Sequence, residues 1–228
     1  MKTYHFEEQV EAKECQLNVY VEIGKVSIQP HDAPLIVVDA EVENMLFRVT
    51  HEQNIVHVYA EHDEGWEQHL KRLLAGQKTK ATVTIYVPST CVVQAKVTTG
   101  QLRVQGVQAP VTARVITGDA KLANLGGAIY ARVVTGSLDY QGSLSSEAHS
   151  FKATTGQVKL RLREPDAQLD ARTTTGHIVC DLPLAQRSQQ HHLVGSKLSG
   201  VLGKGVGRIK AQTVTGSLHL SSMAAQAA

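Results

Sequence analysis

An all-β parallel solenoid is the fold this sequence predicts, and three observations carry that expectation. A β-branched residue followed by Thr-Gly recurs along the second part of the 228-residue chain. Apolar and polar residues alternate with a period of two on both sides of each glycine, the pattern of strands with one buried face. A unit of about 20 residues is too short to bury its own apolar face, so copies must stack, each strand pairing with its equivalent in the next copy.

The N-terminus reads MKTYHFEEQVEAKE and carries no apolar stretch of the kind a secretory signal requires. The expectation is a cytoplasmic chain, with surface association left open. Residues 1–60 read as an irregular β cap, which a solenoid needs to hide an open sheet edge. Within it Leu17, Val19, Val21 and Ile23 alternate, Gly24 makes a corner, and Val26 and Ile28 resume the pattern. Residues 61–80 form a loop in which Trp66, Leu70, Leu73 and Leu74 share one helical face, predicting a short amphipathic helix over 65–75 that packs on the solenoid edge or meets a partner or membrane surface.

Residues 81–221 hold the repeats. The corner copies are Thr98-Thr99-Gly100, Ile116-Thr117-Gly118, Val134-Thr135-Gly136, Thr154-Thr155-Gly156, Thr174-Thr175-Gly176 and Val214-Thr215-Gly216, with Val194-Gly195-Ser196 as a seventh, altered copy. They predict about seven rungs of 18–20 residues in sequence order. Five residues before the corner slot stand Ala95, Ala113, Ala131, Phe151, Ala171, His191 and Ala211, an inward ladder where the cross-section is narrow. Glycine suits a corner of positive φ, and the Thr before it lies where a hydroxyl can meet local backbone groups. An antiparallel sandwich is the main competitor, but its short hairpin signals are missing, and apolar residues do not recur every six positions as in hexapeptide helices. Residues 222–228 read as a flexible tail, and 1–228 as one domain.

The run ATVTIYVPSTCVVQAKVTTGQLRVQG and the TTG-x-[LIV] units after it resemble the bacterial putative adhesin family, β-strand repeat proteins known as a domain of unknown function. The resemblance covers about Leu17 to Leu220. It implies a β-solenoid and a non-enzymatic surface or envelope-associated role, with no catalytic motif to carry over.

Hydrophobic residues make up 42% and charged residues 19%, which excludes a disordered chain or a membrane bundle. Aromatics at 4% leave little for base stacking, so no nucleic acid is expected as partner. Cys15, Cys91 and Cys180 are odd in number and widely spaced, and are expected to be buried or idle thiols. Residues 1–80 hold 8 Lys and Arg against 14 Asp and Glu, a net of −6, whereas residues 81–228 hold 15 against 7, a net of +8. The eleven histidines form no HExxH or other tight ligand set, so neither metal nor cofactor is expected. Asp119 and Asp139 stand one and three residues after their corners, in different slots, which gives little support to paired acid and base catalysis.

The constellation above this background lies four residues before the corner. There stand Lys96, Arg114, Arg132, Lys152, Arg172, His192 and Gln212, and the five basic residues should stack into a column on an outer face, with Thr98, Ile116, Val134, Thr154, Thr174, Val194 and Val214 beside it. Such a column keeps an exposed sheet soluble, or offers a track to an anionic polymer or an acidic protein. The expected function is thus a non-enzymatic binding or scaffold module, envelope- or stress-associated, monomeric or weakly self-associating. A self-assembling structural solenoid is the alternative, and a polysaccharide-acting β-helix enzyme comes third.

Overall fold

At each corner the chain turns through a glycine whose φ is positive, between 130° and 155° at Gly24, Gly100, Gly118, Gly136, Gly156, Gly176 and Gly216. Each glycine also lies against a backbone carbonyl of the neighbouring strand, that of Ala81 for Gly24 and that of the adjacent corner glycine for the others, leaving no room for a side chain. The stack built on these corners is a solenoid-like, all-β fold. A computed structural model of the protein describes residues 1–11, 14–62, 79–191 and 194–223. Its strands are β1 (Lys2–Gln9), β2 (Gln16–His31), β3 (Leu35–Glu43), β4 (Leu46–Glu52), β5 (Ile55–Glu61), β6 (Lys80–Pro88), β7 (Val92–Gln105) and β8 (Val111–Ala123). They continue as β9 (Ile129–Gly142), β10 (Ala148–Leu162), β11 (Ala167–Thr175), β12 (Ile178–Cys180), β13 (Ala185–His191), β14 (Ser196–Leu202) and β15 (Gly207–Ser222). The helix predicted over 65–75 lies outside the described residues.

The long strands bend at the glycine, so each contributes a first arm before the corner and a second arm after it. First arms stack in the order β4-β5-β2-β7-β8-β9-β10-β15-β11-β14-β13, and second arms as β1-β3-β6-β2-β7-β8-β9-β10-β15-β12. From β2 through β15 to β11 the pairing is parallel, with like slots opposed: Ala113 faces Ala131, Thr117 faces Thr135, and Gly118 faces Gly136. The third side is made of return loops bonded to one another, as where Gly126 N donates to Val107 O and Gly106 N to Ala123 O.

Two expectations about the repeats are corrected. Val194-Gly195-Ser196 is not a rung: β14 runs antiparallel to β11, and β13 antiparallel to β14, closing the C-terminal end of the first-arm sheet. The rungs also depart from sequence order, because β15 lies between β10 and β11, parallel to both. The cause is visible in the residues. The 194–196 copy lacks the Thr-Gly corner that would let its strand bend with the stack, whereas β15 has the full pattern and its Gly216 fits between Gly156 and Gly176.

The core follows the predicted alternation. Ala95, Ala113, Ala131, Phe151, Ala171 and Ala211 point inward and are buried, as are Leu102, Leu122, Leu138, Leu160 and Leu218 of the second arms. Tyr140 packs its ring 5.4 Å from Phe151 and donates its hydroxyl to Ser143 O; burial pushes the phenol up to about 12. Tyr4 and Phe6 of β1 meet Phe47 of β4, with ring centroids 5.0 and 6.0 Å apart, and these aromatics join the outer strands of the two arms at the N-terminal end.

The cysteines are also corrected. Cys15 and Cys91 are joined by a disulfide, with Cα atoms 4.7 Å apart. Spacing along the chain concealed this pair, because β2 lies beside β7 in parallel register and places the two residues side by side just before Gln16 and Val92. Cys180 is free, and burial raises its thiol pKa.

Candidate basic and aromatic face

In a β-strand successive side chains alternate between faces, so the residue beside each inward Ala must point out. Lys96, Arg114, Arg132, Lys152 and Arg172 are accordingly exposed on the outer face of the first-arm sheet. Lys96 stands opposite Arg114, Arg114 opposite Arg132, and Arg132 opposite Lys152. At strand spacing these like charges sit about 4.8 Å apart at the backbone, and their side chains fan into solvent, where screening limits the repulsion.

Arg172 is not the next member. The insertion of β15 puts Gln212 between Lys152 and Arg172. Arg172 also pairs through Nε and Nη2 with both carboxylate oxygens of Asp170, each 2.8 Å away, and that ion pair raises its pKa further. No carboxylate engages Lys96, Arg114, Arg132 or Lys152 among the described residues.

The row extends further than the repeats foretold. Across β2, β5 and β4 its next members are Tyr20, Tyr59 and Arg48. Lys96 Nζ stands 4.9 Å from the centroid of the Tyr20 ring, and the Arg48 guanidinium 5.2 Å from that of Tyr59. Aromatic side chains therefore do interrupt the cationic row. The signal was present in the alternation around Tyr20, but only the pairing of β2 with β5 and β7 shows that the two tyrosines are in line with Lys96.

Beside this row, Asn18, Gln94 and Thr112 form a second one of neutral donors and acceptors. Asn18, Tyr20, Tyr59, Gln94, Lys96 and Arg114 line a shallow groove of about 230 Å³. Its far wall is fixed by His57, whose ring lies parallel to that of Tyr59 with centroids 6.0 Å apart and whose Nδ1 lies 3.3 Å from Tyr59 Oη and 3.4 Å from Asn18 Nδ2.

The corner residues Thr99, Thr117, Thr135, Thr155, Thr175 and Thr215 are exposed along the outside of the bend. On the second-arm face, Asp119 accepts hydrogen bonds from Ser137, with Oγ at 2.5 Å and N at 3.3 Å, and Asp139 takes both contacts from Arg161 Nη2 at 2.9 and 3.1 Å. Each carboxylate is thus held by a neighbouring rung. Among the described residues no group of three His, Cys, Asp or Glu side chains is arranged to hold a metal, and no helix is long and apolar enough to cross a membrane.

A family model described as Toastrack DUF4097 matches residues 89–221. No curated protein matches the chain. Among solved structures, it is similar to a putative cell adhesion protein from Clostridium sporogenes, 11% identical over 97% of this chain and 100% of that one, with a TM-score of 0.47. A putative adhesin from Bacteroides fragilis is 12% identical over 97% of both chains, with a TM-score of 0.24. A putative lipid binding protein from Parabacteroides distasonis is 6% identical over 97% of this chain and 96% of that one, also at 0.24.

Proposed function

Given that the chain belongs to the Toastrack DUF4097 family, we propose that it is a non-enzymatic binding module whose contact surface is the outer face of the first-arm sheet. One observation carries this reading: Lys96, Arg114, Arg132 and Lys152 form an unbroken cationic row on a rigid sheet, with no carboxylate among the described residues engaging them. A row held at fixed spacing by backbone pairing loses little order on binding, and one sign of charge along it attracts an anionic polymer. The adhesin names of the solved structures agree with a role in contacting other molecules.

The Cys15–Cys91 disulfide supports a location in an oxidising compartment or at the cell surface rather than in a reducing cytosol. Asp119 and Asp139, each held by a neighbouring rung, favour binding over polysaccharide cleavage.

Retention of the full chain on an anionic polysaccharide matrix across a salt gradient tests the proposal. The Arg114→Glu, Arg132→Glu, Lys152→Glu variant should elute at lower salt with an unchanged melting temperature. Identical elution of variant and parent would assign the row to solubility alone.

A further inference from the structure

We infer that the groove between Tyr20, Tyr59, Lys96 and Arg114 is a subsite for one uronate ring of an acidic polysaccharide, the chain of which continues along the basic row. This rests on the binding role proposed for that face and names the ligand class it takes. Two features set the groove apart from the rest of the row. It is the place where tyrosines stand in line with the cations themselves, and it is flanked by Asn18, Gln94 and Thr112, which are neutral and able both to donate and to accept.

That arrangement matches a ring with unlike edges. The cationic row and the neutral row are two residues apart on each strand, about 6.8 Å along it. A uronate pyranose is about as wide from its carboxylate on C5 to the hydroxyls on C2 and C3. With the carboxylate between Lys96 and Arg114, its hydroxyl edge reaches Asn18, Gln94 and Thr112. The volume of about 230 Å³ is below the roughly 300 Å³ at which drug-sized pockets begin, which suits a single ring. The tyrosine side offers the apolar carbon face of a sugar a wall, and the rings are held in place by Lys96, Arg48 and His57 rather than left to rotate.

Periodicity gives the direction of the polymer. Beyond the groove the cations repeat once per strand, about every 4.8 Å, close to the advance per residue of an extended uronate chain. Neighbouring residues of such a chain are turned by about half a turn, so every second carboxylate faces the sheet, and the next one after the groove falls about two strands further on, between Arg132 and Lys152. A neutral glycan makes no use of this row, and a free phosphate or a lone carboxylate makes no use of the second one.

The test is calorimetric titration of the full chain with tetragalacturonate, its methyl-esterified tetramer and polygalacturonate. Expected is binding of the acid tetramer, at least about tenfold weaker binding of the ester, and a further loss of at least about tenfold in the Tyr20→Ser, Tyr59→Ser variant. Lys96→Gln should show the same loss and serves if the tyrosine variant melts early. Arg132→Gln with Lys152→Gln should weaken the tetramer and the polymer alike, because a tetramer seated in the groove already reaches both cations. If both groove variants hold the acid tetramer as the parent does, the subsite is wrong while the basic row can still bind polymer. Equal binding of acid and ester would overturn the uronate assignment, and a parent that holds neither tetramer nor polymer would remove the subsite and the binding role together.

Discussion

The carbonyl oxygen of Gly118 lies 1.9 Å from the point that a β-carbon on Gly136 would occupy. The φ of Gly136 is 135°, outside the range that L side chains adopt. Two independent constraints thus select glycine here, and neither yields to a side-chain rotation. Gly136→Ala should destabilise the protein by more than about 4 kcal/mol or prevent folding, while Thr135→Ala, exposed on the outside of the same bend, should cost less than about 1 kcal/mol. Chemical denaturation of both variants checks the contrast, and a tolerant Gly136 would show that the corner is not close-packed.

Neighbouring positions on β9 should respond in opposite ways. Ala131 is buried between Ala113 and Phe151, so Ala131→Leu should overpack the core and cost about 1 to 3 kcal/mol. Arg132→Leu, on the outer face, should leave the thermal midpoint nearly unchanged.

His149 should give the fold an acid-sensitive step. Its ring is buried in a slot that neighbouring rungs fill with Ile129 and Ile209, Nε2 is hydrogen-bonded to Ser145 O at 3.0 Å, and burial holds its pKa below the ordinary 6.5. The folded protein therefore disfavours the proton. Stability is intact above pH 6.5 and is lost as the pH falls from there through the folded pKa. His5, on the edge strand β1, works in the opposite direction: hydrogen bonds to Asp39 and Glu7 raise its pKa, so its contribution fades as the pH rises. Comparing urea midpoints at pH 7.5 and pH 5 in the parent and in His149→Leu isolates the buried ring, and equal acid losses in the two would rule it out.

The disulfide closes a separation of 76 residues, for which the chain-entropy relation gives about 4 kcal/mol of stabilisation. Cys15→Ala with Cys91→Ala should lower the thermal midpoint accordingly. Reductant should lower that of the parent and leave the double variant unaffected.

Much of the fold was legible because each slot repeats its chemistry. The inward Ala residues, the outward cations and the corner glycines could be assigned from alternation alone, since a shift of one residue would have buried Arg132 and exposed Ala131. What sequence order concealed was adjacency. Nothing in the local pattern of 207–222 says that it lies between β10 and β11, and so nothing foretold Gln212 between Lys152 and Arg172. The Cys15–Cys91 bond and the line from Tyr59 to Lys96 were hidden for the same reason, each depending on long-range strand pairing. The face of the candidate site was therefore visible, while its aromatic end and its true length were not.

The interior position of β15 makes assembly of the stack depend on a strand made after those it must support. In a solenoid wound in sequence order, each new coil can settle on the one before it as it emerges. Here β11 has β15 as its only parallel neighbour among the described residues, so the segment from β11 to β14 must wait, apolar face outward, until residues 207–222 arrive. A chain stopped before Gly207 is consequently not a solenoid one coil shorter but a stack with a missing middle, its β10 edge open and its antiparallel end strands without a base.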